Sequence, residues 1–221
     1  MKLAVLRPEP GASATLRRAE KAGFEAFALP LFRIEPIGWR LPESGDFDAL
    51  LLTSANAVRQ AGGQMGPLRH LPVHAVGEAT ARAAHEAGLA IASVGHGGVE
   101  ALLASLPAST RLLHLCGEHR HSPAPGSQAV VPVPVYRSIP IPAPAGLERL
   151  KGAAALVHSP RAGRRLAELV KQRADIAVLA ISPAAAEACG GGWRAVLAAE
   201  QPTDAAMLSL AGALCKHSPP Q

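Results

Sequence analysis

The stretch DALLLTSANAVRQ (Asp48 to Gln60) decides how this chain is read, because AALVHSPRAGRRL (Ala154 to Leu166) repeats its pattern with Ser54 aligned to Ser159, 105 positions later. A second stretch, VHAVGEATARAAHEAG (Val73 to Gly88), matches VLAISPAAAEACGGG (Val178 to Gly192) and aligns Gly77 with Ser182 at the same separation. Two independent matches at one offset point to two similar units rather than to an Ala-rich composition. In each, a short apolar run leads through a Ser or Gly into a helical stretch, the pattern of a parallel strand and its crossover helix.

The same alternation runs outward in both directions. Strands are expected near 2–6, 24–29, 48–52, 73–76, 89–93, 111–115, 153–157, 176–181 and 193–199. Helices fit at about 11–22, 54–62, 78–87, 98–106, 160–173, 183–189 and 204–215. Ser54, Ser159-Pro160, Ser182-Pro183 and Thr203-Asp204 supply helix starts. The fold class is therefore α/β, with two similar parallel-sheet lobes.

The lobes are not simply end to end. The second copy has no room after it for the strand that the first finds at 111–115, whereas residues 2–29 supply a strand, a helix and a strand. One lobe is thus expected to be split, 1–34 with 138–221, and the other, 38–130, to be inserted in it. LPLFRIEPIG (Leu29 to Gly38) and VVPVPVYRSIPIP (Val130 to Pro142) are extended and Pro-punctuated, so 31–37 and 131–138 read as paired linker strands. A double linker implies a hinge with a cleft between the lobes.

Composition narrows the partners. The chain has 221 residues, 48% of them hydrophobic, and Gly and Pro make under a fifth, short of a disordered composition. No apolar run approaches the roughly 18–20 residues of a membrane span, and the five-residue run before Arg7 is too short for a secretory signal. Three cysteines without C-x-x-C fit a reducing, cytoplasmic setting. Arginine supplies 17 of 22 cations at a formal charge of +5, which suits an anionic partner. Nucleic acid is not expected, because there is no basic block and only 3% of residues are aromatic.

In open α/β sheets ligands bind at the carboxyl ends of strands, where helix N-termini offer free N–H groups to anions. That rule selects Arg7 and the turn after it, Thr53-Ser54-Ala55, Gly77-Glu78-Ala79-Thr80, His158-Ser159-Pro160 and Ser182-Pro183. Capping alone explains any single Ser here; the set suggests a ligand with many separate carboxylates. Neither a G-x-x-x-x-G-K-[ST] loop nor a G-x-G-x-x-G turn is present, so nucleotide cofactors are not expected. Cys116, His119 and His121 form a C-x-x-H-x-H run that completes no recognised set, so no metal is expected. Tyr136, the only tyrosine, sits on the second linker, either as a hydrogen-bond donor or weak acid or as a packing residue.

Leu6-Arg7-Pro8, Asp48 to Val58 (DALLLTSANAV), Ala75 to Ala81 (AVGEATA), Val135 to Arg137 (VYR), His158 to Ala162 (HSPRA) and Gln201 to Thr203 (QPT) together resemble the uroporphyrinogen-III synthase family across nearly the whole chain. The resemblance implies two α/β lobes joined by a two-stranded linker and an enzyme without cofactor or metal. Its substrate would be linear hydroxymethylbilane, which loses its terminal hydroxyl as water and closes through a spiro intermediate with inversion of ring D. Catalysis would then rest largely on holding a flexible chain in the reactive conformation. By motif, Thr53, Ser54, Ala55, Gly77, Thr80, Tyr136 and Ser159 carry over as cleft residues, with Tyr136 assisting departure of the hydroxyl and Thr80 holding a carboxylate. The protein is expected to act as a monomer. Two departures stand out. Ser182-Pro183-Ala184-Ala185 replaces the usual Gly-Pro-Thr-Thr, and the breaker-rich 117–130 replaces a helix, so the inserted lobe is expected to lack one. The rival reading is a non-catalytic two-lobed protein that binds a multi-carboxylate anion.

Overall fold

The structure is a computed structural model that describes residues 1–42, 46–119 and 128–216. In chain order the elements are β1 (Leu3–Val5), α1 (Gly11–Lys21), β2 (Ala26–Ala28), β3 (Phe32–Pro36), β4 (Ala49–Leu52), α2 (Ala55–Ala61), β5 (Val73–Val76), α3 (Glu78–Glu86), β6 (Ile91–Gly95), α4 (Gly98–Ala104) and β7 (Arg111–Gly117). They continue as β8 (Ala129–Pro140), β9 (Ala154–Val157), α5 (Pro160–Leu169), β10 (Ala177–Ala180), α6 (Pro183–Glu187), β11 (Ala195–Ala198) and α7 (Asp204–Lys216). Short 3₁₀ turns at Gly62–Leu68 and Leu147–Leu150 complete the set.

The chain divides into two compact units, Met1–Arg33 with Pro140–Gln221, and Ile34–Ile139. The first carries a five-stranded sheet ordered β11-β10-β9-β1-β2, and the second a six-stranded sheet ordered β3-β8-β7-β4-β5-β6. Read from the far edge, β6-β5-β4-β7-β8 repeats β11-β10-β9-β1-β2 place for place. β4 corresponds to β9 and β5 to β10, the pairs that the internal repeat matches. The repeat is thus a repeat of topology, in which β7 and β8 take the places that β1 and β2 hold in the split unit.

Burial explains the apolar runs. Every residue of β1, β4, β9 and β10 is buried, as a parallel strand covered on both faces requires. In the split unit Leu6, Leu31, Leu166 and Val178 pack on one side of the sheet, and Leu3, Val5, Leu179 and Met207 on the other. In the second unit Leu50, Leu52, Val73 and Leu113 pack with α2 and α3, while Leu51 and Leu112 meet Val99, Leu102 and Leu103 of α4. Trp39 anchors the first of these cores, its indole N–H donating to Ala61 O at 3.0 Å.

Two details depart from the periodicity. The helix expected over 160–173 stops at Leu169, because Val170 turns extended (φ −103°, ψ 115°). Arg173 then bends back, its guanidinium donating to the carbonyls of Ala167, Val170 and Gly191. The linker segment 131–138 is also a full sheet strand, since β8 pairs in parallel with β7 from Arg111↔Ala129 onward. The helix expected to be missing falls on 117–130, of which 120–127 lie outside the described residues. Gln128, just past that gap, donates its side-chain amide to Leu103 O and Leu106 O at 3.0 Å, satisfying carbonyls at the end of α4.

Candidate active site

Arg7, Thr53, Ser54, Ala55, Gly77, Ser159 and Ser182 all lie just past the carboxyl end of a strand, at or beside the start of the next helix. Three of them are caps in geometry. Ser54, Ser159 and Ser182 are extended, and their hydroxyls accept from the N–H groups of Asn56 (3.2 Å), Ala162 (3.1 Å) and Ala185 (3.3 Å). Gly77 opens α3 and donates its N–H to Gly95 O at 2.8 Å. Thr80 lies within the first turn of α3, three residues past Gly77, and is buried for most of its surface. Ser159→Ala is expected to cost about 1 kcal/mol of stability as a lost cap, read in denaturant melts.

Ser54 is the cap with a second partner. The Tyr136 phenol donates to Ser54 Oγ at 3.3 Å across 82 positions of sequence. Ser54 therefore accepts twice, which fills its lone pairs and leaves its own proton as the remaining donor. Tyr136 reaches this place through an irregularity: the β7–β8 register shifts between Cys116↔Pro134 and Gly117↔Tyr136. Its ring lies directly over Gly117, where an added Cβ would fall 2.7 Å from Cζ and 2.9 Å from Oη. Burial pushes the phenol's pKa up, the Ser54 bond pulls it down and Cys116 pushes it up again, with a net rise. Tyr136 is thus a neutral proton donor at physiological pH.

Beside this pair, Thr53 Oγ1 lies 3.0 Å from Nε2 of the buried His114, which ties the end of β4 to β7. The sequence did not single out His114; a lone His inside the apolar run LLHLC was the only available sign. Cys116 is buried, His119 lies 3.8 Å from Glu118 and His121 falls outside the described residues. Among the described residues no group of three or more His, Cys, Asp or Glu side chains is placed to hold a metal ion.

The split unit holds a polar cluster at the equivalent strand ends. Asp204, nearly buried at the start of α7, accepts from Thr15 Oγ1 at 2.8 Å, Arg18 Nη1 at 2.6 Å and His158 Nε2 at 2.9 Å. Arg7 Nη1 is 3.8 Å away. Burial alone would raise the Asp204 carboxyl, but His158, Thr15 and Arg7 together hold it well below the usual carboxylate range. Of this cluster the sequence offered Arg7 and His158 as strand-end residues, but not Asp204, Thr15 or Arg18.

A family model described as uroporphyrinogen-III synthase HemD matches residues 13–209, and so spans both units. The chain belongs to the uroporphyrinogen-III synthase family. Solved structures agree on the fold. A mutant uroporphyrinogen III synthase from the extremely thermophilic bacterium Thermus thermophilus is 25% identical, with a TM-score of 0.54 over 98% of this chain and all of that one. The uroporphyrinogen-III synthetase of Helicobacter pylori is 17% identical, with a TM-score of 0.63 over 97% of this chain and all of that one. A search of curated protein sequences gives no significant match. The α/β class and the two-lobed architecture expected of a uroporphyrinogen-III synthase are those observed. No helix among the described residues is long and apolar enough to cross a membrane.

Proposed function

We propose that this chain is a cyclising lyase that converts hydroxymethylbilane to uroporphyrinogen III, with loss of one water and inversion of ring D. The observation that carries the reading is the family match over 13–209. The Tyr136–Ser54 pair supplies chemistry that the reaction can use. As the hydroxymethyl C–O bond breaks, its electron pair leaves on oxygen, and the neutral phenol of Tyr136 gives that oxygen a proton to release water. Ring aromatisation after closure liberates a proton, so the phenol is restored without a net change.

Carboxylate recognition is assigned to Arg7, Thr53, Ser54, Ala55, Gly77, Thr80, Ser159 and Ser182. At Ser182 the side chain already caps Ala185 N–H, and Ala184 and Ala185 bring no hydroxyl, so recognition there falls to the remaining backbone N–H groups. We read the protein as a cytoplasmic monomer that needs no cofactor or metal.

Turnover separates this reading from that of a binding protein. With protein at a hundredth of the substrate concentration, a synthase consumes many equivalents of hydroxymethylbilane as the III isomer. A binder holds at most one equivalent and leaves the remainder to close spontaneously.

A further inference from the structure

The Asp204 cluster joins four elements of the split unit around one carboxylate and leaves one cation incompletely used. Oδ2 takes Thr15 and Arg18, and Oδ1 takes His158. Arg7 comes no closer than 3.8 Å to Oδ1, and its guanidinium makes no hydrogen bond among the described residues. Yet Arg7 is firmly placed. Continuing the β1–β9 register past Val5↔Leu156 sets it opposite His158. Its guanidinium also lies against Gly11, where an added Cβ would fall 2.5 Å from Nε. The side chain keeps 37% of its surface exposed, so the fork is open to a ligand.

His158 is 7% exposed, gives Nε2 to Asp204 and leaves Nδ1 buried with no hydrogen-bond partner. With Nε2–H given to Asp204, Nδ1 of a neutral His158 is an acceptor closed off from solvent, so the group open to an anion in this cluster is the Arg7 fork. The charges agree, because two arginines face one carboxylate and leave a positive surplus even with His158 neutral.

We propose that Asp204 is a positioning residue for substrate recognition: it fixes Arg7 and His158 at the carboxyl ends of β1 and β9, so that the N–H fork of Arg7 takes one side-chain carboxylate of the tetrapyrrole. This rests on the synthase reading. Arginine suits the task because its planar fork can bind both oxygens of a carboxylate.

The test is steady-state kinetics of uroporphyrinogen III formation from enzymatically generated hydroxymethylbilane. Arg7→Gln is expected to raise KM about tenfold, the weight of one charge-assisted contact, with a smaller change in kcat. Asp204→Asn is expected to raise KM comparably, and the double variant to be no worse than the more affected single one, since both changes remove the same contact. If Asp204→Asn does not fold, Thr15→Val removes one of the bonds holding the carboxylate, and at least a twofold rise in KM is expected. Wild-type KM in Arg7→Gln, or Arg7 and Asp204 effects that multiply, overturns the proposal, as does wild-type KM in Thr15→Val where that variant stands in. A wild-type protein yielding only the I isomer would instead remove the synthase reading itself.

Discussion

Tyr136→Phe is expected to lower kcat for uroporphyrinogen III formation about a hundredfold, the lower end of what a positioned general acid contributes. The substitution keeps the ring over Gly117 and removes only the hydroxyl that donates to Ser54. Gly117→Ala tests the same group from the other side. Its new methyl would meet the Tyr136 ring at 2.7 Å, well inside van der Waals contact, so the ring must leave its place above β7. A fall of at least tenfold is expected, and the double variant should be no slower than Tyr136→Phe alone. A Tyr136→Phe rate within about twofold of wild type would show that the hydroxyl does not take part.

The second large effect is on stability. Asp204→Ala removes the one carboxylate facing Arg7, Arg18 and His158 and leaves Thr15 without its acceptor. Losing this nearly buried carboxylate, with Thr15 and His158 left unpaired but the partly exposed arginines screened by solvent, costs about 2–3 kcal/mol, to be read from denaturant melts at neutral pH. The same carboxylate gives the wild type a pH dependence. Its folded pKa lies below that of an unfolded aspartate, roughly 3.9. The unfolded chain therefore binds the proton first, and the stabilisation present in full above the unfolded pKa is lost as the pH falls through the folded one. Asp204→Ala should lose stability less steeply on acidification than the wild type. Parallel acid limbs in the two proteins would contradict this assignment.

How far the sequence revealed these features depends on the range over which each is encoded. ALLL and AALV announce buried parallel strands locally, because their runs are apolar throughout. Ser54, Ser159 and Ser182 announce helix starts locally, because capping depends on the next three residues. The 105-residue repeat added the topology, since two copies of one pattern build the same strand order.

The chemistry is encoded at longer range. Tyr136 meets Ser54 only through the register shift at Cys116/Gly117, and no local pattern announces a one-residue slip. Asp204 reads along the chain as an acidic residue in the first turn of a helix. Its partners at positions 7, 15, 18 and 158 become neighbours only when β1 is laid beside β9 and α1 beside α7. The burial of Thr80 was equally hard to read: AVGEATA places it in the first turn after Gly77, and only the packing of α3 shows that it lies mostly inside with Ala81, Ala83 and Ala84.

The most direct test is the isomer composition of the product. The protein is incubated with freshly generated hydroxymethylbilane, and the uroporphyrinogens are oxidised and separated. The account predicts that the III isomer predominates and that its excess over the I isomer vanishes when the protein is heat-denatured. Formation of uroporphyrinogen I alone, at the rate seen without protein, would contradict it.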